Sequence, residues 1–209
     1  VFEILSNAID EAREGFGDLI TLTYYEDRSI EVADFGRGCP MDWNPNEKRY
    51  NWELVFCELY AGGKYKNADG GDYEYSLGLN GLGLCSTQYS SEWMDVEICR
   101  DGFLYNLHFE HGENVGGMKK EATNRRKTGS KIRWKPDDQV FTDINVPLEW
   151  FQEAIKRQAV VNAGLLFILR DQKPTGGFES YEYLYQNGIS DYVKELVGSE
   201  QTLTGVQFW

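Results

Sequence analysis

The stretch VFEILSNAIDEA, residues 1 to 12, decides how the rest of the chain is read. Val1, Leu5, Ala8, Ile9 and Ala12 recur at the three-and-four spacing of a helix that packs one apolar stripe into a core. Glu3, Asn7 and Glu11 recur every fourth residue and form a second, polar stripe along the same helix. Taken alone, such a stripe is an ordinary solvated face. The residues that follow change its meaning.

Gly15 and Gly17 stop the helix, and ITLTYY and SIEVA then alternate around Glu26-Asp27-Arg28 as a hairpin. ADFGRGCP, residues 33 to 40, ends the second strand with two glycines and a proline, which forces an irregular connection. A helix is predicted from about Asn51 to Tyr60, then a long glycine-rich loop over residues 61 to 83, and a helix from about Leu84 to Ser91. MDVEICR and FLYNLHF form a hairpin across Asp101-Gly102, and SKIRWKP adds a strand. Pro147 is predicted to open a helix running to about Asn162, with Asn145 near its cap; LLFILRD reads as a buried strand. YEYLYQ and a short helix, ISDYVKEL, close the chain. This order predicts an α/β two-layer sandwich, a mixed but mostly antiparallel sheet covered by helices, in one domain over residues 1 to 209.

The composition, 41% hydrophobic and 26% charged, is that of an ordinary globular protein. No apolar run reaches the length of a membrane span, and no signal peptide is recognisable, so a cytoplasmic protein without a membrane partner is expected. Four cysteines without CxxC pairing and two histidines argue against a zinc site and a disulfide framework. A net charge of -13 repels a phosphate backbone over most of the surface, so any nucleic-acid role is expected to lie in other parts of a larger protein.

Three features converge on nucleotide chemistry. Glu3 and Asn7 on one helix face suit the polarising of a water and the holding of a hydrated divalent cation. Asp34, ahead of Gly36 and Gly38, suits acceptance of a hydrogen bond from a base amine while bare backbone lets a flat ring approach. LGLNGLG ahead of a helix suits a phosphate cradle. A structural turn at Asp34 and an ordinary loop at the glycines are the plain alternatives.

The order of ExxxN, DFGRGCP, AGGKY, GLNGLG, FEHG, KTGS and NAGLLFILRD resembles the ATPase domain of the type IIA DNA topoisomerase B subunits, the group of DNA gyrase B and its topoisomerase IV counterpart. The resemblance runs from residue 1 to about residue 197. The nucleotide motifs are shared with the wider GHKL group, while FEHG, KTGS and the NAGLLFILRD strand narrow it to the topoisomerases.

The resemblance implies a GHKL ATP-binding fold that uses ATP and Mg²⁺. Glu3 matches the general base and Asn7 the Mg²⁺ ligand. Asp34 matches the adenine-reading carboxylate, and Ser130 stands where the family usually has threonine. Lys64 matches a lysine near the phosphates and Tyr73 a tyrosine near the nucleoside. Gly78, Leu79, Asn80, Gly81, Leu82 and Gly83, with Leu84 behind them, match the phosphate lid. Gly38, Pro40 and Arg100 match the pocket and its mouth, where inhibitors of the family bind, and Glu11 and Arg37 match a supporting pair. Leu77 and Asn80 replace a glycine and a histidine of the usual lid, and Cys39 replaces an aliphatic residue.

An ATP-hydrolysing enzyme domain is therefore expected, driving dimer closure and DNA strand passage in a full-length homodimer that works with a topoisomerase A subunit. The chain is expected to be a monomeric fragment without the N-terminal arm and transducer domain, binding ATP but turning it over weakly alone. The alternatives are a nucleotide-gated dimerisation module without turnover and a histidine-kinase-type phosphotransfer domain.

Overall fold

A computed structural model describes residues 1–61, 82–199 and 204–205. Its first helix, α1 (Phe2–Arg13), buries Ile4, Leu5, Ala8 and Ile9, the face that the apolar spacing implied. Burying a side chain of this size contributes about 1.5–3 kcal/mol, so this face alone anchors the helix to the sheet.

The strands β1 (Leu19–Tyr24) and β2 (Ile30–Ala33) pair as the expected hairpin. Arg28 at its turn has φ 69, and Asp27 Oδ1 accepts a hydrogen bond from the Ser29 N–H at 2.9 Å, which closes the turn. The residues after β2 include two short strands that no sequence pattern announced, β3 (Trp43–Asn44) and β4 (Arg49–Tyr50), which pair only with each other. The next helices are α2 (Asn51–Cys57), three residues shorter than predicted, and α3 (Gly83–Tyr89).

β5 (Ser91–Arg100) and β6 (Phe103–Glu110) turn at Asp101 and Gly102, with φ 52 and 79, the double positive φ that favours Asp-Gly. β7 (Glu113–Asn114) and β8 (Lys119–Ala122) both pair with β6, and β9 (Gly129–Pro136) lies between β2 and β5. The helix α4 (Leu148–Val161) is followed by β10 (Leu166–Gln172), β11 (Phe178–Tyr183) and α5 (Ile189–Val197). Asn145 does not cap α4. Its Oδ1 accepts from Arg28 Nε at 2.8 Å, and Pro147 itself is the N-cap residue.

The main sheet runs β11-β10-β1-β2-β9-β5-β6-β7, with β8 beside β6. β1 and β10 pair in parallel, and the other pairs described are antiparallel, as the mixed sheet predicted requires. One face is apolar, with Ile20, Leu22, Val32, Val96, Leu107, Ile132, Trp134 and Phe167 packed beneath the α1 and α4 residues Leu5, Ile9, Phe151 and Ile155. The other face is charged, as in the cross-strand row Glu31, Arg133, Asp95 and His108. A sheet with one dry and one wet face needs only one helical layer. Among the described residues no helix is long and apolar enough to cross a membrane.

Candidate functional site

The polar stripe of α1 does not end in open solvent, because it meets backbone at two glycines. A Cβ built on Gly36 would stand 2.7 Å from Glu11 Cβ, and one on Gly83 would stand 2.7 Å from Glu3 Cβ. Each glycine therefore lets a backbone segment lie directly against a carboxylate side chain. Glu3 and Glu11 are eight residues apart, so the stripe between these contacts is roughly 12 Å long. Asn7 lies between them, half-buried.

Asp34 stands just beyond β2, where its N–H donates to Ser130 O at 2.9 Å and extends the ladder to β9. Its Oδ1 accepts from the Gly36 N–H at 2.8 Å and the Ser130 N–H at 3.3 Å. Burial pushes the Asp34 carboxyl up to about 6; the two N–H donors and the Ser130 side chain pull it down, and nearby Glu11 adds to the rise. The carboxylate is thus half-held: two backbone N–H donors fix its Oδ1, and the Ser130 hydroxyl beside it also favours the charged form.

The connection after Asp34 is clamped at several points. Arg37 donates through Nη2 to Glu11 Oε1 at 2.8 Å and through Nε to Oε2 at 3.0 Å, and its N–H donates to Oε2 at 2.7 Å. The same guanidinium pairs with Glu14 and lies 4.1 Å from the centre of the Phe16 ring. Arg100 Nη1 donates to Gly38 O at 2.8 Å, so this arginine, at the end of β5, braces the connection. Gly38 has φ +76, and a Cβ there would stand 2.8 Å from Ile98 Cγ2. Cys39 is held protonated by burial, which pushes its thiol up to about 12; Pro40 beside it is partly exposed. Leu82 is the N-cap residue of α3, and Leu84 packs partly buried against the core.

The structure thus brings Asp34, Gly38, Arg37, Arg100, Ser130 and Glu11 together, and sets Glu3 beside Gly83 at the far end of the stripe. Lys64, Tyr73, Gly78, Leu79, Asn80 and Gly81 lie outside the described residues. Three participants were not singled out from the sequence. Glu14 shares Arg37, Thr128 Oγ1 donates to Gly36 O at 2.6 Å, and Gly129 crosses tightly over Asp34. The KTGS motif signalled the region but not the partners of its hydroxyls.

Two depressions of about 490 and 480 Å³ lie instead on the charged face of the sheet. Their lining charges neutralise one another, as in His108 with Asp95 at 2.7 Å and Lys131 with Glu97 at 3.7 Å. The glycine-bracketed stripe on the helical side is the better candidate, because there bare backbone lies against carboxylate side chains and the buried Asp34 carboxyl is pushed up to about 6.

Comparison with known proteins bears on the family and the fold. No family model matches the chain. The B subunit of DNA topoisomerase 4 from Salmonella typhimurium is 33% identical over 202 residues, which are 96% of this chain and 31% of that protein. This chain is a homologue of the type IIA topoisomerase B subunits. The B subunit of DNA gyrase from Thermotoga maritima is 34% identical over 206 residues, 99% of the chain and 31% of its own length. Among solved structures, the 43K ATPase domain of Thermus thermophilus gyrase B, in complex with an aminocoumarin, superposes with a TM-score of 0.79 at 26% identity. That match covers 99% of this chain and 50% of the Thermus protein in that structure. The chain spans about a third of the length of the curated topoisomerase relatives it matches, and its α/β sheet is that of the gyrase B ATPase domain.

Proposed function

We propose that this topoisomerase homologue binds ATP with Mg²⁺ along the α1 stripe and hydrolyses it, as the ATPase domain of a bacterial type II topoisomerase. The observation that carries the reading is the half-held Asp34 carboxylate. With Oδ1 fixed by backbone, Oδ2 would accept a hydrogen bond from the exocyclic amine of adenine, and ionisation near neutral pH would keep it an acceptor. The stripe then leads from the base towards Glu3, where the phosphates would lie.

Asn7 would hold the Mg²⁺ through its amide oxygen. Among the described residues no group of three or more His, Cys, Asp or Glu side chains is arranged to hold a metal. A single amide oxygen fits Mg²⁺, a hard cation that prefers oxygen ligands and takes few of them from protein. The ion would screen the charge of the phosphates. Glu3, one turn from Asn7, would accept a proton from the attacking water, beside the backbone that Gly83 lets lie against its side chain. Glu11 and Arg37 would hold the connection that presents Asp34. Lys64, Tyr73, Ser130 and the 78–84 motif would complete the pocket, with Pro40, Arg100 and Gly38 at its mouth.

In the longer protein, ATP binding would drive closure of a homodimer and passage of DNA, in concert with a topoisomerase A subunit. The competing reading is a nucleotide-gated dimerisation module that closes without turnover. Glu3→Ala, tested in a protein extended to the length of its relatives, separates the two. The enzyme reading requires turnover to fall by about 10²–10⁴ while nucleotide affinity is kept. Equal residual turnover in both proteins would remove Glu3 as general base and favour the binding module.

A further inference from the structure

We infer that Thr128 is a positioning residue for the Asp34 carboxylate, acting through the peptide that joins Gly36 to Arg37. The two ends of that one planar unit are held from opposite sides. Its carbonyl accepts from Thr128 Oγ1 at 2.6 Å, and its N–H donates to Glu11 Oε2 at 2.7 Å. On the other side of the same glycine, the Gly36 N–H donates to Asp34 Oδ1 at 2.8 Å. That N–H is the shorter of the two that fix this carboxylate oxygen, the Ser130 N–H standing at 3.3 Å.

Gly36 has the widest backbone freedom of any residue type, so only its contacts restrict its rotation. The Glu11 side chain bars one direction, since a Cβ on Gly36 would stand 2.7 Å from Glu11 Cβ. The Thr128 hydroxyl restrains the carbonyl from the other. Without it, the glycine can turn, the N–H swings away from Oδ1, and the carboxylate loses the closer of its two backbone donors. Thr128 is exposed and lies 92 residues from Gly36, so it restrains this peptide without forming part of the core.

The effect has a signature that mere loosening lacks. The Gly36 N–H favours the charged form of Asp34, against burial and against Glu11, the acidic group facing it from α1 and itself paired with Arg37. The Cys39 thiol, on the same connection, stays protonated, and Ser130 supplies the other N–H. Loss of the Thr128 hydroxyl therefore raises the pH at which Asp34 becomes an acceptor.

This inference rests on the adenine-reading role proposed for Asp34. The test is the affinity of the chain for a non-hydrolysable ATP analogue with Mg²⁺ from pH 5 to pH 8, for the parent, Thr128→Val and Thr128→Ser. Valine keeps the shape and removes the donor; serine keeps the donor. Thr128→Val is expected to bind about fivefold more weakly at pH 7, with its midpoint moved to higher pH, and Thr128→Ser to restore both. Unchanged binding by Thr128→Val, an equal loss at every pH, or a failure of serine to rescue would overturn the positioning role. Absence of binding by the parent would instead remove the nucleotide reading on which it stands.

Discussion

Gly129 and Asp34 cross so closely that a Cβ on the glycine would stand 2.2 Å from the Asp34 carbonyl oxygen. The glycine has φ +152, and the Asp34 N–H donates to the carbonyl of the next residue, Ser130. This crossing joins the strand that carries the carboxylate to the strand that holds it. Gly129→Ala would force two backbones apart where they are hydrogen-bonded. It is expected to cost about 2 kcal/mol or more, read as a lower urea midpoint. A midpoint equal to that of the parent would mean that the crossing tolerates a side chain.

Asp34 is also expected to work against the stability of its own fold. Burial raises its carboxyl from 3.8 to about 6, so the folded state holds the proton more tightly than the unfolded chain does. Its contribution is fully present below pH 3.8 and is lost as pH rises through about 6. Asp34→Asn removes the charge and should be more stable than the parent at pH 7, on the order of 1 kcal/mol once partial exposure is allowed for. The advantage should vanish near pH 4. Unfolding curves at both pH values would show it, and an advantage of equal size at both would contradict it.

The pair of Glu11 and Arg37 is partly buried and doubly bonded, with side-chain exposures of 17% and 28%. Such a pair should exceed an ordinary surface ion pair, and a double-mutant cycle with Glu11→Gln and Arg37→Gln should give a coupling of about 1 kcal/mol. Either single change should also weaken nucleotide binding, because the Arg37 N–H shares Glu11 Oε2 with the guanidinium. A coupling near zero would reduce the pair to two independent surface charges.

Much of the fold was legible where local chemistry speaks. The three-and-four spacing in α1, the alternation of β1 and β2, and the Asp101-Gly102 turn each recorded their structure in adjacent residues. β3, β4 and β7 have two residues each, too few for any period to appear. β11 lies at the sheet edge with most of its side chains exposed, so FESYEY carries no apolar alternation. Asn145 looked like a cap because it precedes Pro147, yet it serves Arg28, 117 residues away in the chain. The site divides in the same way. The stripe of Glu3, Asn7 and Glu11 is local and visible, whereas the bonds of Thr128 and Glu14 join segments far apart in sequence.

The role of Asp34 is tested most directly by calorimetric titration of a non-hydrolysable ATP analogue with Mg²⁺ into this chain and its Asp34→Asn variant. Saturable one-to-one binding by the parent is expected, lost in a variant that remains folded. Equal binding by both proteins, or by neither, would contradict the assignment of Asp34 as the group that reads the base.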